Sequence, residues 1–262
     1  VKYRAREMGG RAPGKNWLAG FLRRHPEVRL GKARNLDPKR AQAFNRPVVH
    51  FHFDLLAKLL AENNIPLENM YNMDEKGCQR GGGKKQGQQM YFIPRTARGQ
   101  YKPSPDNLEL VTIVECVAAD GGKLQPGFIF AGKKYHKRWF ESGVPNDVTV
   151  SLSPNGWTND HLCTAWFETC FIPQAKARNT TGEKILLIFD GHGSHTTPEI
   201  IDLAIENNII LYCLPAHTTH KLQPLDVGVF GPFSDAWIRK CNDWAEQTDK
   251  EMPRGEFVRE YI

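Results

Sequence analysis

The chain has 262 residues, 40% hydrophobic and 24% charged, the proportions of an ordinary globular domain rather than of a fibrous or disordered chain. No apolar run approaches the ~20 residues that span a bilayer. The six cysteines, Cys78, Cys116, Cys163, Cys170, Cys213 and Cys241, include no C-x-x-C pair, which speaks against a zinc ribbon or a disulfide scaffold and for a reducing compartment. With neither an initiating Met nor a signal-peptide core, the sequence reads as a fragment of something longer. The net charge of +6 is unevenly placed. Residues 1–46 hold thirteen Lys or Arg against three Asp or Glu, a net of +10, while residues 47–262 hold twenty-two against twenty-six, a net of −4. Residues 76–102 then carry seven basic side chains and no acidic one. Both basic segments suit a polyanion, although a solvated basic surface has the same composition.

In chain order, Trp17, Phe21 and His25 fall at i, i+4 and i+8 with Leu18 and Leu22 alongside, predicting a short helix that Pro26 stops. Asp37-Pro38 is a cap and a first-turn proline for a second helix through Arg40, Ala41 and Phe44. Residues 1–46 thus have the profile of a small, basic, all-α helix-turn-helix remnant; a packing appendage is the other reading. Residues 47–67 form a linker, with Val48, Phe51, Leu55, Leu56, Leu59 and Leu60 as its helical stripe and Asn63-Asn64 as its close.

From 68 to 262 the pattern is that of an α/β domain with a mixed sheet. Met70–Asp74 reads as a short strand, and Leu108–Ala119 and Leu124–Ala131 as β runs joined at Asp120-Gly121-Gly122. Asn159–Phe171 is a helix with Leu162, Trp166 and Cys170 in phase. Ile185–Phe189 is a continuous apolar run, as a strand buried on both faces requires. A helix opened by Thr197-Pro198, a strand over Ile209–Leu214 and an amphipathic helix over Phe233–Glu246 follow.

Three aspartates stand out by position. Asp190 ends the Ile185–Phe189 strand before Gly191-His192-Gly193, where α/β sheets place their ligands. Asp74 ends the short strand at Tyr71–Asp74, and Asp226 precedes the last helical region. Each could equally cap a turn or helix. Taken together, three carboxylates on separate elements could hold a pair of hard divalent cations, and two such ions serve an in-line phosphoryl displacement.

The blocks YNMDEKG at 71–77, LLIFDGHGSH at 186–195 and CLPAHTTHKLQPLDVGVFGPF at 213–233 resemble the signature blocks of DDE transposases of the pogo branch of the mariner superfamily, which includes the Tigger and jerky-like proteins and the centromere protein CENP-B. VTIVECVAADGGKLQPGFIFAGK at 111–133 and SPNGWTNDHLCTAWFETCFIP at 153–173 follow the same order. GKNWLAGFLRRHPEVRL at 14–30, continued by LDPKRAQAFN at 36–45, is similar to the end of a CENP-B-type helix-turn-helix domain.

The resemblance implies an RNase H-like catalytic domain over 68–262, with Asp74, Asp190 and Asp226 as catalytic and metal-binding residues. It implies two Mg²⁺ or Mn²⁺ ions per site, hydrolysis of DNA phosphodiesters at element ends, and transfer of the freed 3′-OH into target DNA. Double-stranded DNA is the expected partner, a homodimer the expected assembly and the nucleus the expected location. A host-adopted descendant that binds DNA without cutting it is the alternative. DNA-contact candidates are Lys15, Arg23, Arg24, Arg34, Lys84, Lys85, Arg95, Arg98 and Lys102. Glu75 and His195 are expected beside the metal ligands, with Glu75 pointing away from Asp74 across the strand. His192/His195 and His217/His220 form two H-x-x-H pairs, compatible with zinc, with packing or with phosphate contact. Trp157 and Trp166 are expected in the core.

Overall fold

The computed structural model describes residues 13–31, 37–82, 109–139, 143–145, 148–191, 195–248 and 250–262. Contacts divide the chain into two units, Val1–Asp37 and Pro38–Ile262. In the first, Trp17–Arg24 is a helix whose Trp17 and Phe21 rings stack at 5.0 Å, with the His25 ring 4.5 Å beyond. None of its residues is buried. The Pro38–Ala43 helix belongs to the second unit, so the division falls earlier than the expected border at residue 46.

The second unit is built on a six-stranded sheet in the order β4-β3-β2-β1-β5-β6. Its strands are β1 (Met70–Gln79), β2 (Leu110–Ala118), β3 (Gly127–Ala131), β4 (Thr149–Ser153), β5 (Ile185–Phe189) and β6 (Ile209–Cys213). The β1/β2 and β2/β3 pairings are antiparallel and the others parallel, so β2 alone runs against the rest. This is the RNase H-like arrangement that the motif blocks imply, with one strand added at the β3 edge. That strand, β4, has the sequence TVSLS, too short and polar to stand out by composition. Because of it the second aspartate follows the fifth strand of this sheet.

Side chains alternate across the strands and so build a core on each face. Tyr71, Met73, Leu187 and Phe189 pack with Trp166, Phe167, Phe171, Ile200 and Ala204 on one side. On the other, Val111, Ile113, Phe128 and Phe130 meet Trp237, Phe257 and Tyr261. The Arg46–Asn63 helix covers Leu186 and Tyr212 with Leu56, Leu59 and Leu60. It starts where Asn45 accepts from the Val48 N–H and stops at Asn64 in the left-handed region. The Asp120 hairpin also follows from local chemistry, since Asp120 Oδ1 accepts from the Gly122 N–H at 2.8 Å and Gly121 has φ +89°.

Two helices exceed their expected lengths by the same device. Asp160–Trp166 passes through a π-turn at Phe167–Phe171 into Ile172–Arg178. Leu225–Val229 is likewise a π-turn running into Phe230–Thr248. A proline, Pro173 or Pro232, follows each widened turn, where the missing N–H would otherwise break an i→i−4 ladder. A last helix, Arg254–Tyr261, sets Phe257 and Tyr261 against Phe128.

Candidate active site

The site begins where β1 and β5 part. They pair only at Met70↔Leu186, Tyr71↔Leu187 and Asn72↔Ile188. Beyond that point Asp74 lies two residues along β1, and Asp190 lies two residues past Ile188. By strand alternation both belong to the face carrying Asn72 and Ile188. Asp74 is not at a strand tip, contrary to the sequence expectation. Strand β1 continues to Gln79 because β2 pairs with it throughout, from Tyr71↔Ala118 to Gln79↔Leu110. A carboxylate at mid-strand has a more rigid backbone than one at a strand end.

Asp226 arrives on the π-turn Leu225–Val229. Two buried amides dock that turn on the sheet. Asn72 Nδ2 donates to Ile188 O (3.0 Å) and to Gln223 Oε1 (2.6 Å), while the Leu225 N–H donates to Asn72 Oδ1 (3.2 Å). Gln223 Nε2 donates to Met73 O at 2.9 Å, and the same side chain lies close enough to Asp74 to pull its pKa down slightly. Lys76, two residues beyond Asp74, donates to Phe230 O (2.9 Å) and Ser234 Oγ (2.7 Å) under the Phe230 and Phe233 rings. Neither amide was expected to have a role, and Lys76, counted with the basic 76–102 segment, faces protein instead. The available signal was the presence of polar residues within segments that bury.

The electrostatics are those of crowded acids. Burial, then the charges of Asp226 and Asp190, push the Asp74 carboxyl up to about 7, against the pull of the Glu75 N–H. Asp226 is also raised, first by burial and then by Asp190, with Arg40 and Lys76 opposing. Asp190 has a cationic neighbour. His195 Nδ1 lies 2.9 Å from Asp190 Oδ1, and His195 Nε2 lies 3.4 Å from Glu75 Oε1. Burial alone would lower the pKa of this ring, but the two carboxylates override it and raise the value to about 10.

Three carboxylates, of which Asp190 raises the pKa of the other two and Asp226 that of Asp74, offer the hard oxygen donors preferred by Mg²⁺ or Mn²⁺. They fit such ions by donor type and by shared surroundings. Among the described residues, however, no three His, Cys, Asp or Glu side chains stand already closed around one ion position.

The other candidates divide. Lys15, Arg23 and Arg24 are exposed, the two arginines in the last turn of the Trp17–Arg24 helix. Arg34, Lys84, Lys85, Arg95, Arg98, Lys102 and His192 lie outside the described residues. Arg80 pairs with Glu109 (3.1 Å) and Glu251 (3.7 Å), and so faces protein. His220 packs its ring against Phe44. Trp166 is buried, but Trp157 is 55% exposed, contrary to expectation, because it lies in the turn between β4 and the next helix.

The sequence model of the family described as DDE superfamily endonuclease matches residues 107–256. The chain belongs to this family. It is 36% identical over 181 residues to a Cochliobolus lunatus protein named MFS-type transporter clz9, covering 69% of this chain and 19% of that protein. To the human pogo transposable element with KRAB domain it is 27% identical over 146 residues, 54% of this chain and 22% of that one. The DDE chain therefore spans about a fifth of the length of these curated relatives, and among its described residues no helix is long and apolar enough to cross a membrane. Among solved structures its fold matches the mariner Mos1 paired end complex with Mg, at a TM-score of 0.56 and 13% identity over 99% of this chain and 69% of that chain. The Mos1 complex with Mn matches at a TM-score of 0.55, also at 13% identity, over 98% of this chain and 68% of that one. The family match and the similarity to the pogo relative make this a pogo-like member of the DDE group.

Proposed function

We propose that the chain is the catalytic part of a DNA transposase that hydrolyses phosphodiesters at transposon ends and joins the freed 3′-hydroxyl to target DNA. The observation that carries this reading is the parting of β1 and β5 beyond Asn72↔Ile188, with Asp74 and Asp190 just past the fork and Asp226 docked there through Gln223. The Mos1 paired end complexes with Mg and with Mn support a divalent requirement.

Asp74, Asp190 and Asp226 would hold the ions, two per site. Bound there, such ions stabilise both the attacking and the leaving oxygen of an in-line displacement. The chain's own part is rigid placement. Asp74 is fixed by the nine-residue β1/β2 register. Asp190 is aimed by His195, whose imidazolium also moderates the acidity of the cluster. Lys76, directed at Phe230 O, steadies the start of the helix that follows Asp226. In the first step a water oxygen bonds to phosphorus and the bond to the 3′ oxygen breaks, leaving the 3′-hydroxyl for the second step. Double-stranded DNA is the substrate, the exposed Arg23 and Arg24 contact its backbone, and two copies act on paired ends in the nucleus.

The test is to incubate the protein with DNA bearing candidate terminal repeats and Mg²⁺ or Mn²⁺, beside Asp190→Asn. Metal-dependent nicking that the substitution abolishes is the expected result. Salt-sensitive binding without nicking by the unsubstituted protein would overturn it in favour of a host-adopted DNA-binding protein.

A further inference from the structure

Among the polar side chains around the three aspartates, two uncharged amides are buried alongside His195. Gln223 is 0% exposed and Asn72 is 6% exposed. Each of their four polar atoms has a partner. Asn72 donates to Ile188 O and Gln223 Oε1 and accepts from the Leu225 N–H, while Gln223 accepts from Asn72 and donates to Met73 O. Neither amide is among the buried groups without a partner.

An amide pair whose polar atoms are all partnered in one arrangement specifies that arrangement, because a shift leaves a buried polar group unpaired. Each bond here has a distinct structural consequence. Asn72 to Ile188 O holds β1 to β5 at the last paired position, immediately before the strands carrying Asp74 and Asp190 separate. Leu225 to Asn72 and Gln223 to Met73 seat the segment that presents Asp226. Among the described residues, the hydrogen bonds joining β1 to the Gln223–Asp226 stretch all pass through these two side chains. A hydrophobic pair of similar volume would fill the space equally well but would fix none of these distances.

We propose that Asn72 and Gln223 are positioning residues, an interlocked amide pair that sets the facing of Asp74, Asp190 and Asp226 and thereby the divalent-cation affinity of the site. The proposal rests on the metal-site reading above and extends it to residues that touch neither ion nor DNA. Partners that hold ligands in place commonly change metal affinity 10–100-fold when removed, and that is the scale expected here.

The experiment titrates Mn²⁺ into the full 262-residue chain by calorimetry, beside Gln223→Met, with the folded fraction of each protein checked by circular dichroism. The unsubstituted chain is expected to bind, and Gln223→Met to bind about 10–100-fold more weakly at equal folded fraction. No binding by the unsubstituted chain overturns the metal-site reading itself. Binding by both within twofold overturns the positioning role and leaves that reading standing. A second measurement needs no substitution and covers failure of the variant to fold. In the ¹⁵N-labelled chain, the Gln223 side-chain NH₂ protons should exchange slowly with solvent and shift when Mg²⁺ is added. Rapid exchange, or no response to Mg²⁺ in a chain that binds Mn²⁺, overturns the proposal.

Discussion

His195 Nδ1 stands 2.9 Å from Asp190 Oδ1 while its Nε2 reaches toward Glu75 at 3.4 Å, so one buried ring ties the tip of β5 to β1. With its pKa raised to about 10 the ring is an imidazolium at neutral pH. A group held protonated more firmly in the folded state than in the unfolded one stabilises the fold fully below its unfolded pKa, near 6.5, and loses that contribution as pH rises through about 10. Stability to urea should therefore fall between pH 7 and pH 10. His195→Gln should remove that slope and cost about 1–3 kcal/mol at pH 7, as loss of a charged hydrogen bond does. Urea midpoints across the pH range check both, and an unchanged slope in the variant would refute the assignment.

Asp74 titrates in a different window. Its carboxyl is raised from 3.8 to about 7, first by burial and then by Asp226. The folded chain thus keeps a proton that the unfolded chain has released, and stability without metal should decline as pH rises from about 4 to about 7. Asp74→Asn should flatten this decline and raise stability at pH 8 by about 1–3 kcal/mol. Mg²⁺ should stabilise the unsubstituted chain at pH 8 and have little effect on the variant. Thermal denaturation with and without Mg²⁺ tests this, and equal metal responses would count against Asp74 as a ligand.

Arg23 and Arg24 test the polyanion reading. Both are exposed at the end of a helix with no buried residue, so replacing both with Ala should leave the fold intact. If they contact phosphates, affinity should fall about equally for unrelated DNA sequences, and the salt slope should shrink by about 0.9 per residue. Fluorescence anisotropy at several salt concentrations measures it. An unchanged slope would place the DNA surface elsewhere.

The contact of β3 with the helical layer gives a prediction about the fold. A Cβ added at Gly127 would meet Trp166 Cδ1 at 2.7 Å, and Trp166 is itself only 4% exposed. The ring has nowhere to go, so Gly127→Ala should cost about 1–3 kcal/mol, as overpacking does. A lowered midpoint with unchanged far-ultraviolet circular dichroism is the expected result.

Several elements were legible in the sequence because their determinants are local. The apolar run Ile185–Phe189 became a strand buried on both faces, Thr197-Pro198 opened a helix, and Asp120-Gly121-Gly122 turned a hairpin. In each, side-chain periodicity or a cap acts on its own neighbours. The motif blocks likewise marked Asp74, Asp190 and Asp226 and implied the RNase H-like topology. Other features depended on partners distant in the chain. Strand β1 runs on past Asp74 because β2 is there to pair with it, and the polar segment Thr149–Ser153 is a strand only because β3 offers an edge. Asn72 and Gln223 lie 151 residues apart, and nothing near either announces the other. Sequence alone therefore singled out three aspartates and the order of the locally determined elements. Tertiary structure decided where β1 parts from β5, which amides hold the fork, and how crowded the acids become, because burial and long-range hydrogen bonding arise only once the sheet has assembled.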